Sequence, residues 1–168
     1  LKQINVRFTS MMRATHELLW EWDIENDKMF RTKEGIQQVV ELSGNTPLEK
    51  MEPLLQRIHP DDHENVKNIL NKVLQAPHNH TFELEYRFKS LKGDYAYIYD
   101  RAILLRDEAG NPFRVIGSAQ NISERKRLEE ELLSNQLEYQ RLLHKATVEW
   151  QEAERAEMRT TCAAAVVE

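Results

Sequence analysis

Residues 81–121 decide the fold. They run Thr81-Phe82-Glu83-Leu84-Glu85-Tyr86-Arg87-Phe88, a turn at Leu91-Lys92-Gly93-Asp94, a long stretch from Tyr95 to Arg106, a second turn at Asp107-Glu108-Ala109-Gly110-Asn111, and then Pro112 to Gln120. Phe82, Leu84, Tyr86 and Phe88 alternate with Glu83, Glu85 and Arg87, and a period of two belongs to a strand with one face in a core. Three strands joined by short Gly-containing turns predict an antiparallel meander.

Upstream, Leu19-Trp20-Glu21-Trp22-Asp23-Ile24 also alternates, Glu25-Asn26-Asp27 is turn-rich, and Lys28-Met29-Phe30-Arg31 resumes an extended pattern. This predicts a hairpin. Ile36, Val39 and Val40 then fit one face of a helix that stops near Ser43-Gly44-Asn45. Thr46-Pro47-Leu48-Glu49 carries a capping box, and Pro53 keeps the helix after it short. Asp61-Asp62-His63-Glu64 repeats the signature with Asp61 as cap, ahead of Val66, Ile69, Leu70, Val73 and Leu74 at offsets of 3, 4, 7 and 8. Helices between two groups of antiparallel strands imply an α+β domain with the helices over a sheet. Its predicted core includes Trp22, Ile36, Val40, Leu55, Ile69, Val73 and Leu84.

The flanks differ in texture. Residues 1–18 place Phe8, Met11, Met12 and Leu18 near helical spacing, which predicts an amphipathic N-terminal helix whose methionines fill a core. The globular domain spans 19–123. From Ser123, read as a cap, through Met158 there is no Gly or Pro. Leu128, Leu132, Asn135, Tyr139, Leu142, Ala146, Glu149, Ala153 and Ala156 step by fours and threes, a heptad seam interrupted at Asn135 and Glu149. Segment 124–158 is thus predicted to be one helix of about 50 Å, pairing with a second copy through Leu128, Leu132, Tyr139 and Leu142. Residues 159–168 abandon the pattern and are read as a tail added to the natural sequence.

Composition excludes several function classes. With Lys+Arg 23 against Asp+Glu 28, the net charge of -5 disfavours nucleic-acid binding. The five glycines come no closer than seven residues apart, so neither a dinucleotide-binding turn nor a P-loop can be written, and no nucleophile elbow is present. A single cysteine, Cys162, excludes an internal disulfide framework and a Cys-rich zinc site. The longest apolar run, Cys162 to Val167, is too short to span a membrane, and the opening LKQINVRFTS lacks the apolar core of a secretory leader. The expectation is a cytoplasmic chain.

Candidate chemistry is sparse. His59 and His63 have the spacing of zinc-binding helices, but Pro60 and the Asp61 cap place His59 ahead of the helix, and no third ligand is near. His78 and His80 read as a solvated loop pair, and His144, followed by Lys145 and Ala146, lacks the acidic neighbour of a phospho-accepting histidine. Arg125-Lys126-Arg127 precedes Glu129-Glu130-Glu131 and reads as helical ion pairing. Tyr95, Tyr97 and Tyr99 form an aromatic stripe suited to packing against a helix or subunit. No catalytic and no metal-ligating residue is nominated.

Ile58-His59-Pro60-Asp61-Asp62, Glu85-Tyr86-Arg87-Phe88, Gly93-Asp94-Tyr95, Arg106-Asp107-Glu108-Ala109-Gly110, Ile116-Gly117 and Asn121-Ile122-Ser123-Glu124-Arg125-Lys126 follow one another in order. Together they resemble a PAS domain with its C-terminal PAC motif, over roughly residues 16–126. Two positions depart from that pattern: Asn121 stands where aspartate is usual, and Tyr97 where tryptophan is usual. The resemblance implies a five-stranded antiparallel sheet with helices on one face, and a sensory or dimerising role in a signalling protein. The flavin-photoreceptor variant requires a cysteine in the helical region, which is missing, and for the haem-binding variant His63 is a poor positional match. Neither cofactor is inferred. Gln151-Glu152-Ala153-Glu154-Arg155-Ala156-Glu157-Met158 resembles the approach to the dimerisation helix of bacterial histidine kinases. The resemblance therefore implies a homodimeric sensor with a possible small-molecule ligand and a kinase output domain outside this chain. A ligand-free structural dimerisation module of a regulator, or of another output enzyme such as a cyclic-dinucleotide cyclase, is the alternative, and a small standalone enzyme the third.

Overall fold

The computed structural model describes residues 17–40, 49–76 and 80–165. Its elements follow the order β1 (Leu18–Asp23), β2 (Lys28–Arg31), α1 (Lys33–Val39), α2 (Met51–Leu55), α3 (Pro60–Gln75), β3 (Thr81–Lys89), β4 (Tyr95–Arg106), β5 (Pro112–Asn121) and α4 (Ser123–Ala165). They fall into two compact units, one reaching Glu124 and the other beginning at Arg125. The expected N-terminal helix with Phe8, Met11 and Met12, the stop at Ser43-Gly44-Asn45, the Thr46 cap and His78 lie outside the described residues. Leu18, assigned to that helix by its spacing, instead opens β1.

The five strands form one antiparallel sheet in the order β2-β1-β5-β4-β3. The expected hairpin and meander supply three of its contacts. The fourth joins β1 to β5, from Leu18 opposite Ala119 to Asp23 opposite Arg114. Since side chains alternate across a strand, the register sets rows across each face. Arg31, Trp20, Gly117, Ala102 and Phe82 make one inner row, and Leu18, Ala119, Asp100 and Leu84 the next. Helices α1 to α3 all fall in the connection from β2 to β3 and bury Ile36, Val39, Leu55, Val66 and Val73 against these rows. Of the predicted core, Ile36, Val40, Leu55, Val73 and Leu84 are buried, while Trp22 and Ile69 are half-buried at its edge. Trp20, one strand repeat earlier, is the deeper tryptophan.

The start of α3 differs from its sequence reading. The cap is His59, not Asp61: its Nδ1 accepts from the Asp61 amide at 3.3 Å, and Pro60 occupies the first helical position. Proline's fixed φ and missing N–H suit that place, so the helix begins two residues earlier than the acidic signature implies. Asp62 is freed to face β3, where it accepts from the Arg87 amide and, at 2.9 and 2.7 Å, from its guanidinium. That pairing holds the Asp62 carboxyl below its ordinary range. At the other end, Arg106 Nη2 donates to the Val73, Leu74 and Ala76 carbonyls at 2.9–3.0 Å, satisfying acceptors that a helix C-terminus leaves open.

Ser123 is likewise not a cap but the first residue of α4. Its hydroxyl accepts from the Tyr97 amide at 2.9 Å, and its own amide donates to Asn121 Oδ1 at 3.0 Å. The helix continues through Ala165, beyond the end of the heptad pattern at 158. The heptad governs pairing, whereas helix formation needs only residues of good propensity, which the alanines at 163–165 supply. The expected ion pairs at the start of α4 form between Arg125 and Glu129 and between Arg127 and Glu131, and a further one joins Lys145 to Glu149. Among the described residues, no helix is long and apolar enough to cross a membrane.

Candidate ligand cavity and helix seam

A cavity of about 60 Å³ lies between the helices and the inner face of the sheet. Most of its described lining is apolar, including Met51, Leu55, Leu70 and Leu84, but one corner gathers Trp20, Arg31, Tyr86 and Asp100. These four come from β1, β2, β3 and β4, and the strand register is what brings them together.

Gly117 makes the corner possible. A Cβ there would sit 2.4 Å from Cε2 and Cζ2 of Trp20 and 2.9 Å from the Arg101 carbonyl oxygen. Only without a side chain on β5 can the Trp20 indole lie across that strand and reach β4. Its Nε1–H donates to Asp100 Oδ1 at 2.7 Å, and the Tyr86 hydroxyl donates to Asp100 Oδ2 at 2.9 Å. Both carboxyl oxygens of Asp100 are therefore engaged. Burial pushes its pKa up to about 7, against the opposing pull of those two donors. Burial, with the Asp100 carboxyl beside it, also raises the Tyr86 phenol well above its usual value.

Arg31 stands directly across from Trp20 on the edge strand. It is half-buried, and desolvation lowers its guanidinium to about 10, partly offset by the neighbouring Tyr86 oxygen. Among the described residues, no carboxylate lies within ion-pair distance of it. A desolvated cation at the wall of a largely apolar cavity leaves a cost that an incoming group can offset.

The Asn121 side chain connects the cavity wall to the start of α4. Its Nδ2 donates to the Val39 carbonyl at 3.0 Å, at the C-terminus of α1, while its Oδ1 holds the Ser123 amide. Val40, the next residue after Val39, lines the cavity. An aspartate at 121 can accept from Ser123 but has no hydrogen to give Val39.

The seam residues of α4 are exposed within this chain: Leu128, Leu132, Tyr139 and Leu142 all lie on its surface. At about 100° per residue, Leu143 and Trp150 widen the same stripe, and Leu133, Leu137 and Val148 make a second on the opposite side. The heptad count passed over this second stripe. Of the histidines weighed from sequence, His59 serves as the α3 cap and packs edge-on against Tyr95 at 4.7 Å. His63 lies on the first turn of α3 and is not among the cavity's lining residues. His144 is exposed on α4. Among the described residues, no group of three His, Cys, Asp or Glu is placed to hold a metal ion.

The sequence reading singled out none of the four polar corner residues. The signal was present: Asp100 interrupts the inner series Ile98, Ala102, Leu104, and Arg31 follows Met29 on the inner face of β2. A charged residue in phase with an apolar strand face is either paired or functional.

The chain matches the family model described as the PAS fold over residues 30–119. It is 30% identical over 92 residues to the methyl sulfide methyltransferase-associated sensor of Methanosarcina acetivorans, a match covering 55% of this chain and 9% of that protein. Among solved structures, it resembles a sensory box histidine kinase/response regulator from Burkholderia thailandensis, with a TM-score of 0.66 and 27% identity over 80% of this chain and 98% of that one. It also resembles the N-terminal domain of a diguanylate cyclase with a PAS/PAC sensor from Marinobacter aquaeolei, with a TM-score of 0.59 and 22% identity over 66% of this chain and 98% of that one.

Proposed function

The chain belongs to the PAS fold family, and on that premise we propose that it is the sensory and dimerisation module of a histidine kinase whose catalytic output lies outside these residues. The signal enters at the cavity and leaves through α4. The observation that carries this reading is the Asn121 bridge, which ties the end of α1, at the cavity wall, to the first turn of α4. A change in how the cavity is filled shifts the helices above it, and the bridge passes that shift to the output helix. The kinase output is supported by the 27% identity to the Burkholderia sensor and by the resemblance of residues 151–158 to the approach to a kinase dimerisation helix.

Dimerisation follows from the exposed stripe. Leu128, Leu132, Tyr139 and Leu142 cost free energy while they face water, and the same stripe on a second copy buries them. The chain catalyses nothing by itself and works in the cytoplasm. The single cysteine and the absence of a membrane-spanning helix among the described residues are consistent with that location.

Light scattering on the purified chain tests the dimer. The expected result is a dimer that becomes monomeric when Leu128 and Leu132 are both replaced by aspartate, with the near-ultraviolet signal of the globular unit retained. A monomeric parent chain, or a double variant that stays dimeric, removes α4 as the dimer element.

A further inference from the structure

We infer that the cavity takes a small carboxylate of one or two carbons, held by the Arg31 guanidinium with its alkyl end against the apolar wall. This rests on the cavity being the input site and adds the chemical class of what enters it. Three observations lead there.

The first is size. The volume of about 60 Å³ is well under the roughly 150 Å³ of a cavity that takes benzene. It therefore accommodates a few waters or a molecule smaller than benzene. Formate and acetate are within that size.

The second is charge. Among the described residues, the charged or titratable groups lining the cavity are Arg31, Tyr86 and Asp100. Asp100 spends both oxygens on Trp20 and Tyr86, and Tyr86 spends its proton on Asp100. Arg31 alone has its donors uncommitted to any carboxylate among the described residues. A guanidinium presents paired N–H groups that match the two oxygens of a carboxylate, a geometry that chloride cannot use.

The third is the rest of the wall. Leu55, Leu70, Leu84 and Met51 offer nothing to a second polar group, so a ligand charged at both ends leaves one end unsatisfied. A hydrogen or methyl group opposite the carboxylate meets those side chains without loss.

The test follows the indole N–H of Trp20 by two-dimensional NMR of the intact chain, assigned with Trp20→Phe. Sodium formate, acetate, butyrate and chloride, and neutral acetamide and ethanol, are titrated at constant ionic strength. The expected result is a saturable shift with formate and acetate, and binding weaker by about tenfold or more, or about 1.4 kcal/mol, for butyrate, chloride and acetamide. Arg31→Met should abolish the acetate shift, and Arg31→Lys, which keeps the charge but not the fork, should retain part of it. If acetamide or ethanol binds as well as acetate and the Arg31 variants bind normally, the cavity remains a ligand site but the carboxylate assignment is wrong. If none of the probes moves the indole, the cavity is not an input site, and both readings fall. Should Arg31→Met fail to fold, an acetate shift that is weakened but not lost in folded Arg31→Lys still decides for the guanidinium, and an unchanged one overturns it.

Discussion

Replacing Asp100 by asparagine should flatten one part of the pH dependence of stability. In the native chain the carboxyl is buried, and its pKa rises from 3.8 to about 7. Between about pH 4 and pH 7 the unfolded chain has released this proton while the folded chain still holds it. Stability therefore falls as pH rises through that window, and it is level above about 7 and below about 4. At about 1.4 kcal/mol per pH unit, the displacement corresponds to roughly 4 kcal/mol at most. Asparagine imitates the protonated carboxyl: its amide oxygen accepts from Trp20 Nε1–H, and its amide nitrogen donates to the Tyr86 hydroxyl. Urea melts of both proteins from pH 4.5 to 8 give the difference in unfolding free energy at each pH. Asp23, Asp62 and Asp107, whose carboxyls are all held below their ordinary value, contribute stability that is lost toward acid. They are common to both proteins and cancel in that difference. The original chain should lose about 2–4 kcal/mol relative to Asp100→Asn between pH 4.5 and pH 7.5. A difference that stays constant across the range refutes the assignment of a buried, proton-holding carboxyl to this corner.

Other substitutions probe the parts around it. Gly117→Ala forces a methyl into the Trp20 ring and should cost about 1–3 kcal/mol in urea melts; the hydrogen-bonded indole proton of Trp20 should move toward its solvent-exposed position. Leu104→Ala, at a side chain 1% exposed, should cost about 2–5 kcal/mol in the same melts, and a loss within error would mean that the inner face of β4 is misassigned. Asn121→Asp keeps the Ser123 contact but forfeits the donation to Val39, so hydrogen exchange at the end of α1 should quicken while the sheet core stays protected.

The strands and most helices were legible because binary patterning and turn residues determine them locally. Phe82 to Phe88 could point inward only in one phase, and Leu91 to Gly93 and Asp107 to Gly110 turn where their sequence demands. The α3 cap was misjudged because two signals compete at 59–64. Asp61 with Glu64 forms a capping pattern, but Pro60 at the first helical position starts the helix two residues earlier, and the His59 ring supplies an acceptor usually credited to Ser, Thr, Asp or Asn. Ser123 was misjudged because its hydroxyl is consumed by a residue 26 positions away, the Tyr97 amide. The cavity corner was illegible for a related reason. Trp20 and Asp100 lie 80 residues apart and meet only once β1 pairs with β5 and Gly117 opens the way between them. A strand pattern marks Asp100 as anomalous, but only the register says which neighbours satisfy it. The residues of a ligand cavity are those of a core, so the apolar part of the site carried no sequence signal at all.

The central claim is that the state of the cavity is felt at the first turn of α4, and it can be tested without knowing the natural ligand. Leu84→Phe adds bulk to the cavity from β3, far along the chain from the joint. Residue-resolved amide hydrogen exchange is then compared with that of the original chain for Tyr97, which donates to Ser123, for Ile122, which donates to the Tyr97 carbonyl, and for Ser123 itself. The account predicts that filling the cavity changes exchange at all three amides by more than the change in global stability explains. If the Trp20 indole responds to the added bulk while those three amides exchange as before, the cavity and the output helix are not coupled, and the sensory reading of this chain is contradicted.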